Sequence, residues 1–325
     1  MSQCTVHDVF TPGSPQKKMT IENSARVLLD EFRSRPTMRA GSLIITVFGD
    51  AVLPRGGVVW IGSLIRVLGD FGVSERLVRT SVFRLTRDNW LDVNPVGRRS
   101  YYSLTEDGVR RFEQATQRIY GEPRQSWSGD WCLVLLAELD AGQKETVRKE
   151  LGWLGFGAIS PNVLAHPSPA MSDLERTLKQ IGIERDLVVM RGRTLGKNQD
   201  DAMRALVHKS WNLDEIDRRY GEFITQFRPV FRAVEKFRKA DGRTAFQIRT
   251  LMIQEYRRIL LRDPLLPAEM LPAGWHGTAA YQLCRNLYRL IFSQADDFMS
   301  NEFETANGPL PPPAPEFYDR FGGLN

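Results

Sequence analysis

Hydrophobic positions fall into distinct regimes along the chain. The first 38 residues are mixed polar, punctuated by Pro12, Pro15 and Pro36, and only "IENSARVLLDEFRSR" repeats apolar residues at helical spacing. A loose arm over residues 1–38 is the expectation. From Gly41 the pattern tightens: "SLIITVFGDAV" predicts a helix, Pro54, Gly56 and Gly57 break it, and "WIGSLIRVLGDFG" predicts a second. Ser74 then stands as the N-cap of a third helix, because a serine hydroxyl accepts from the unpaired N–H groups of a first turn. Two short β-like runs, "WLDVNPV" and "SYYSLT", enclose "GRRS" and predict a hairpin, and a helix capped at Thr105 closes the unit at residue 121. Helix, helix, turn, helix, hairpin is the order of a winged helix-turn-helix over residues 39–121.

Past a Pro-containing joint the regime changes. "WCLVLLAEL" is continuously apolar and predicts a strand buried on both faces; a helix ("AGQKETVRKELGWLG"), an apolar-glycine stretch, a second helix ("SDLERTLKQIG") and a strand ("DLVVMRGR") follow. Alternating strands and helices make residues 122–195 a small α+β domain, with a boundary near Leu195. From Asp200 the chain reads as helical to about residue 300, and residues 301–325 form a Pro-rich tail, expected to be an unfolded end or a polyproline segment for a partner. The fold class is therefore mixed α/β and multi-domain.

The third helix carries the chemistry. At 100° per residue, Leu77, Val78, Ser81, Val82 and Leu85 gather on one side, which must face a core. Opposite lie Arg76, Arg79, Thr80, Phe83 and Arg87, with Arg84 on the flank, and Arg98 and Arg99 stand at the hairpin tip. Residues 39–121 hold twelve arginines against eight acidic residues. Two readings stand: a solvated basic face, or a surface that meets DNA, with the helix in a groove and the wing on phosphates. Phe83 fits simple solvation poorly; it could lie against a thymine methyl or sugar, be covered by a partner subunit, or pack under the wing.

Composition narrows the classes. Nine of the 44 basic residues are lysine and 35 are arginine, whose planar guanidinium suits phosphate and base recognition, and the formal net charge is +5. Cys4, Cys132 and Cys284 are too far apart for a CxxC knot or a disulfide framework. With no apolar signal core and no apolar run long enough to span a bilayer, a cytoplasmic protein that does not engage the membrane is expected. Glu138 and Asp140, after the apolar strand, are too few for a metal-dependent nuclease, and "GWLGFG" does not match a phosphate-cradling loop. The four scattered histidines support no catalytic triad, so no enzyme, no metal and no cofactor are expected.

In "IRTLMIQEYRRILLRDPLLPAEMLP", Ile248, Leu251, Met252, Tyr256 and Ile259 form an apolar helical stripe, with Glu255, Arg258 and Arg262 along its edge and Arg257 pointing away. Glu255 is placed to pair with Arg258 and Arg262 in a salt-bridge network. The sharper reading makes Arg258 and Arg262 an anion site with Trp275 and His276 of "GWHG" on its rim.

"GVSERLVRTSVFRLTRDNWL" resembles the GntR-type winged helix; that resemblance turns Arg76, Arg79 and Thr80 toward bases or phosphates and makes Gly97 to Arg99 the wing tip. Glu75 stands where that family commonly has Arg, so no base preference is carried over. Taken together, "RAGSLIITVFGDAVLPRGG", "LGWLGFGAISPNVLAHP" and "EYRRILLRDPLLPAEMLPAGWHG" resemble the PaaX-type repressors of phenylacetic acid catabolism, from about Arg39 to about Phe298. The resemblance implies a winged helix, a Cas2-like ferredoxin-like middle domain and a helical C-terminal domain over 196–300 for effector binding and dimerisation. It also implies a homodimer on double-stranded operator DNA, with phenylacetyl-CoA as the effector that relieves repression. Arg258, Arg262, Trp275 and His276 are the expected effector residues. The rival classes are a metal nuclease or CoA-ester hydrolase, and an adaptor that binds only proteins.

Overall fold

The computed structural model describes residues 20–35, 40–122, 127–167, 169–183, 186–194 and 200–324. The expected joint at Pro123 and boundary at Leu195 lie outside the described residues. The first helix, α1 (Ile21–Arg33), begins where the Thr20 hydroxyl accepts from the Asn23 N–H at 3.2 Å. Its Ile21, Ala25, Leu28, Leu29 and Phe32 recur every three or four residues, and all five are buried in the main core. Residues 21–33 are therefore a packed helix, correcting the expectation of a loose arm for that stretch.

The winged helix follows as α2 (Ala40–Val47), a π-turn over Phe48–Val52, β1 (Val58–Trp60), α3 (Ile61–Gly69), α4 (Glu75–Arg87), β2 (Leu91–Val96), β3 (Arg99–Leu104) and α5 (Glu106–Tyr120). The Ser74 and Thr105 hydroxyls cap α4 and α5 by accepting from Leu77 N and Gly108 N. β2 and β3 pair antiparallel from Leu91↔Leu104 to Val96↔Arg99, and Gly97 turns the chain at φ 60°, a conformation a Cβ would strain. β1 adds a third strand on the other edge of β3; its three residues are too short to show a period in the sequence.

The middle domain runs β4 (Asp130–Leu135), α6 (Ala141–Trp153), β5 (Gly157–Ser160), β6 (Val163–His166), α7 (Met171–Gln180) and β7 (Val188–Arg193). The sheet order is β5-β6-β4-β7 with every neighbour antiparallel, the ferredoxin-like arrangement. Cys132 and Val134 of β4 point into a private core with Val147, Leu151, Leu164, Leu174 and Leu178. Trp131, Leu133 and Leu135 alternate onto the other face and are only half-buried, so β4 is buried on one face and not on both as its apolar run suggested.

The C-terminal region is α8 (Asp200–Trp211), α9 (Leu213–Phe237), α10 (Gly242–Leu260), α11 (His276–Glu302), a minimal hairpin of β8 (Glu304–Thr305) and β9 (Gly308–Pro309), and a helical turn over Pro315–Gly322. All five stripe residues of α10 are buried, but Arg249, Thr250, Gln254 and Arg257 are buried too, because α10 is enclosed on nearly every side. Arg257, expected to point away, instead donates to Ser42 Oγ at 3.0 Å. The tail is not unfolded: Leu310, Phe317, Arg320, Phe321 and Leu324 are buried, and the four apolar ones belong to the main core. That core joins α1, the winged helix, the C-terminal helices and the tail into one packed body.

Candidate nucleic-acid interface and ligand cavity

The inner side of α4 is fixed by Val78, Ser81 and Val82, all buried, with Leu77 and Leu85 packed beside them. Their spacing forces Arg76, Arg79, Thr80, Phe83, Arg84 and Arg87 outward, and all six are exposed. Phe83 is 71% exposed, which removes the reading that it packs under the wing. Arg79 pairs with Glu75 one turn back (2.8 Å) and Arg87 with Asp88 (3.1 Å), whereas Arg76, Arg84 and Arg98 have no ion pair among the described residues. The Thr80 hydroxyl donates to the Arg76 carbonyl. Arg99 departs from expectation. Its guanidinium stacks 4.2 Å from the Trp60 ring and donates to Glu304 at 2.8 Å, so it ties the tip end of β3 to Trp60 and β8, and Arg98 is left as the free tip cation.

A buried ionic cluster is centred on the π-turn that follows α2. Asp50, in the π-turn, accepts at Oδ2 from Arg249 Nε (2.7 Å) and at Oδ1 from Tyr120 (2.6 Å), Tyr288 (3.0 Å) and Arg320 (2.9 Å). Arg249 Nη1 also reaches Asp296 at 2.8 Å, and Arg55 lies 2.8 Å from the same carboxylate. Burial alone would raise the Asp50 carboxyl, but the Arg249 and Arg320 guanidiniums and the Tyr120 hydroxyl hold it below the ordinary value. Five segments distant in sequence meet at this one carboxylate. Sequence reasoning passed over Asp50, Arg249, Tyr120, Tyr288 and Arg320; the available signal was one acid inside the apolar run "SLIITVFGDAV", which needs a buried cation as partner.

The structure does not bring Arg258, Arg262, Trp275 and His276 together. Arg258 donates to Glu255, as expected, and Glu255 also takes Arg35 at 2.6 Å, but Arg262 is exposed and joins neither. His276 is held by Asp217, through its backbone N–H (2.7 Å) and its ring Nδ1 (2.8 Å). Trp275 alone of the four lines a cavity of about 290 Å³ between α5, α9, α10 and α11, with Tyr220, Tyr256 and Tyr281. The Tyr220 hydroxyl donates to Asp263 Oδ2 (2.6 Å) and the Leu265 N–H to Oδ1 (2.7 Å). Burial pushes the Asp263 carboxyl above its usual range against those two donors.

Family comparisons follow the same division of the chain. The PaaX-like protein description matches residues 39–108, the PaaX protein central Cas2-like domain 124–204, and the PaaX-like protein C-terminal domain 211–301. The transcriptional repressor PaaX of Escherichia coli (strain K12) is 41% identical over 287 residues, 87% of this chain and 90% of that protein. This chain belongs to the PaaX-like family. A solved structure, the uncharacterized protein Rv0674 from Mycobacterium tuberculosis, is 19% identical with a TM-score of 0.47, covering 86% of this chain and 98% of its own. In the central Cas2-like domain of this PaaX-like chain, Asp140 Oδ1 accepts from Gln143 N at 2.8 Å and caps α6, while Glu138 is exposed. No group of three or more His, Cys, Asp and Glu side chains able to hold a metal converges among the described residues, and no described helix is long and apolar enough to cross a membrane.

Proposed function

We propose that this chain is a transcriptional repressor that holds double-stranded operator DNA as a homodimer and releases it when phenylacetyl-CoA binds, so controlling phenylacetic acid catabolic genes. The observation that carries the DNA-binding reading is the outer face of α4, where six residues stand exposed on a helix whose other side is locked into the core. An α-helix fits the B-DNA major groove, where guanidinium groups donate to guanine O6 and N7 or to phosphates and an aromatic ring lies against a thymine methyl. Arg76, Arg79, Thr80, Arg84 and Arg87 supply the donors, Phe83 the apolar contact, and Arg98 the wing contact. The Arg79–Glu75 pair is exposed and weak, so its guanidinium exchanges to phosphate at little cost. Membership in a family with a repressor at 41% identity supports repression.

The homodimer is supported by a general argument about half-sites. One recognition helix reads a short half-site, and two on a dyad read a palindrome with the summed affinity. The effector reading is supported by the resemblance to phenylacetic acid repressors and by the aromatic-lined cavity beside α5. The test is fluorescence anisotropy on the chain's own upstream DNA. Arg76→Ala with Arg84→Ala is expected to weaken specific binding at least tenfold and flatten its salt dependence by about one to two phosphate contacts. Unchanged binding in that double variant would overturn the assignment.

A further inference from the structure

The cavity at Trp275 sits where the last helix of the winged helix meets the C-terminal bundle. Its walls come from Gln117 and Arg118 of α5, Tyr220 of α9, Tyr256 of α10 and Tyr281 of α11. Tyr220 stands edge-on to Trp275 with centroids 5.7 Å apart, and 6.4 Å from Tyr256, so the lining presents ring faces and ring edges together. A flat aromatic ring is the shape that meets both. Tyr281 supplies a second and independent signal: its side chain is 5% exposed, and its hydroxyl is buried with no hydrogen-bond partner among the described residues. A buried hydroxyl left unpaired is costly, and a ligand oxygen that accepts from it removes the cost.

The charges in the lining select among aromatic ligands. Asp263, Glu122 and Arg118 all line this cavity; both Asp263 oxygens accept hydrogen bonds, and Arg118 donates to the Leu260 and Asp263 carbonyls. With two acids against one arginine in the lining, a free carboxylate meets net like charge, and a neutral carbonyl does not. A second cavity, of about 360 Å³, shares the wall formed by Gln117, Arg118 and Leu265 and is lined further by Arg111, His166 and Asp173, reaching the middle domain. Two arginines against one acid make it the more cationic of the two, suited to a phosphate-bearing remainder.

We infer that these adjoining cavities form the effector site: the ring of an arylacetyl thioester lies among Tyr220, Tyr256 and Trp275, its carbonyl accepts from Tyr281, and its anionic arm passes over Arg118 toward Arg111. This rests on the effector-released repressor reading above and assigns its ligand to residues. The site touches all three domains. Occupancy pushes on α5, whose Tyr120 is bonded to Asp50 in the π-turn that continues α2, and α2 packs on α4.

The test is isothermal titration of the full chain with phenylacetyl-CoA, phenylacetate and CoA, comparing the wild-type chain with Tyr281→Phe and Trp275→Ala. The expected result is tight binding of the thioester by the wild-type chain, with free phenylacetate at least tenfold weaker. Each variant is expected to weaken the thioester about tenfold or more. Tyr281→Phe is expected to melt no lower than the wild-type chain, since it deletes an unpartnered hydroxyl, which separates ligand contact from structural damage. Wild-type affinity in both variants would overturn this site and leave the repressor reading standing. A wild-type chain that binds its upstream DNA but takes up no phenylacetyl-CoA would overturn the ligand together with the site. Free phenylacetate binding as tightly as the thioester would overturn the carbonyl assignment.

Discussion

At the scale of the residue, the molecule turns on how a few charges are placed. Asp50 is buried among Arg249, Arg320, Tyr120 and Tyr288, and removing one member of such a cluster leaves uncompensated buried charge. Asp50→Ala is therefore expected to cost about 3–5 kcal/mol of stability in urea unfolding. The acid sensitivity has a fixed sign: a carboxyl lowered on folding contributes stability above its unfolded value of about 3.9, and that stability is lost as pH falls through the lower folded value. Unfolding midpoints of the native chain should drop below about pH 4, and Asp50→Asn should flatten that drop; an unaltered pH profile in that variant would count against the cluster. The wing arginines separate in the same way. Arg98→Ala is expected to reduce the salt slope of DNA binding by about one, whereas Arg99→Ala, which breaks the tie to Glu304 and Trp60, should change that slope less. Side chains on a helical face were legible from spacing alone; Asp50 and Arg249 were not, because the two partners lie 199 positions apart.

At the scale of the element, α4 was readable because one period decides it: Val78, Ser81 and Val82 must go in, so the arginines must go out. The caps at Ser74 and Thr105 and the β2–β3 hairpin were readable for the same local reason. Elements stabilised from afar were misread. The apolar stripe of α1 finds its partners in the C-terminal helices, and the tail looks disordered by composition because its five prolines between 309 and 315 hide the anchors Phe317, Arg320 and Phe321 that follow. Leaving out residues 303–325 removes Arg320 from Asp50 and uncovers Tyr120 and Tyr288, both packed against the Phe321 ring. Such a chain is expected to lose several degrees of melting temperature in calorimetry or to unfold without a cooperative transition. A truncated chain melting with the full-length one would show that the tail is not part of the core. The four proposed effector residues scattered for a related reason. Trp275 and His276 are adjacent in sequence, yet at the start of α11 one turns into the cavity and the other out to Asp217.

At the scale of the whole molecule, the domain order read from the sequence coexists with a different division of packing. The winged helix and the C-terminal helices share one core, while the ferredoxin-like domain has a second core of its own and lays Ala165, Trp131 and Leu133 of its sheet against the first. A change at the junction of α5, α9, α10 and α11 therefore acts on the frame that carries α4, and it need not cross a flexible linker. A hundredfold loss of DNA affinity on effector binding corresponds to about 2.7 kcal/mol of coupling, within the range such junctions supply. The most direct measurement is anisotropy of the full-length chain on its own upstream DNA across a salt series, with and without phenylacetyl-CoA. Specific, salt-sensitive binding that weakens about a hundredfold with the thioester, and not with free phenylacetate, is the predicted result. Specific binding indifferent to the thioester, or no binding that distinguishes this DNA from unrelated sequence, would contradict the account.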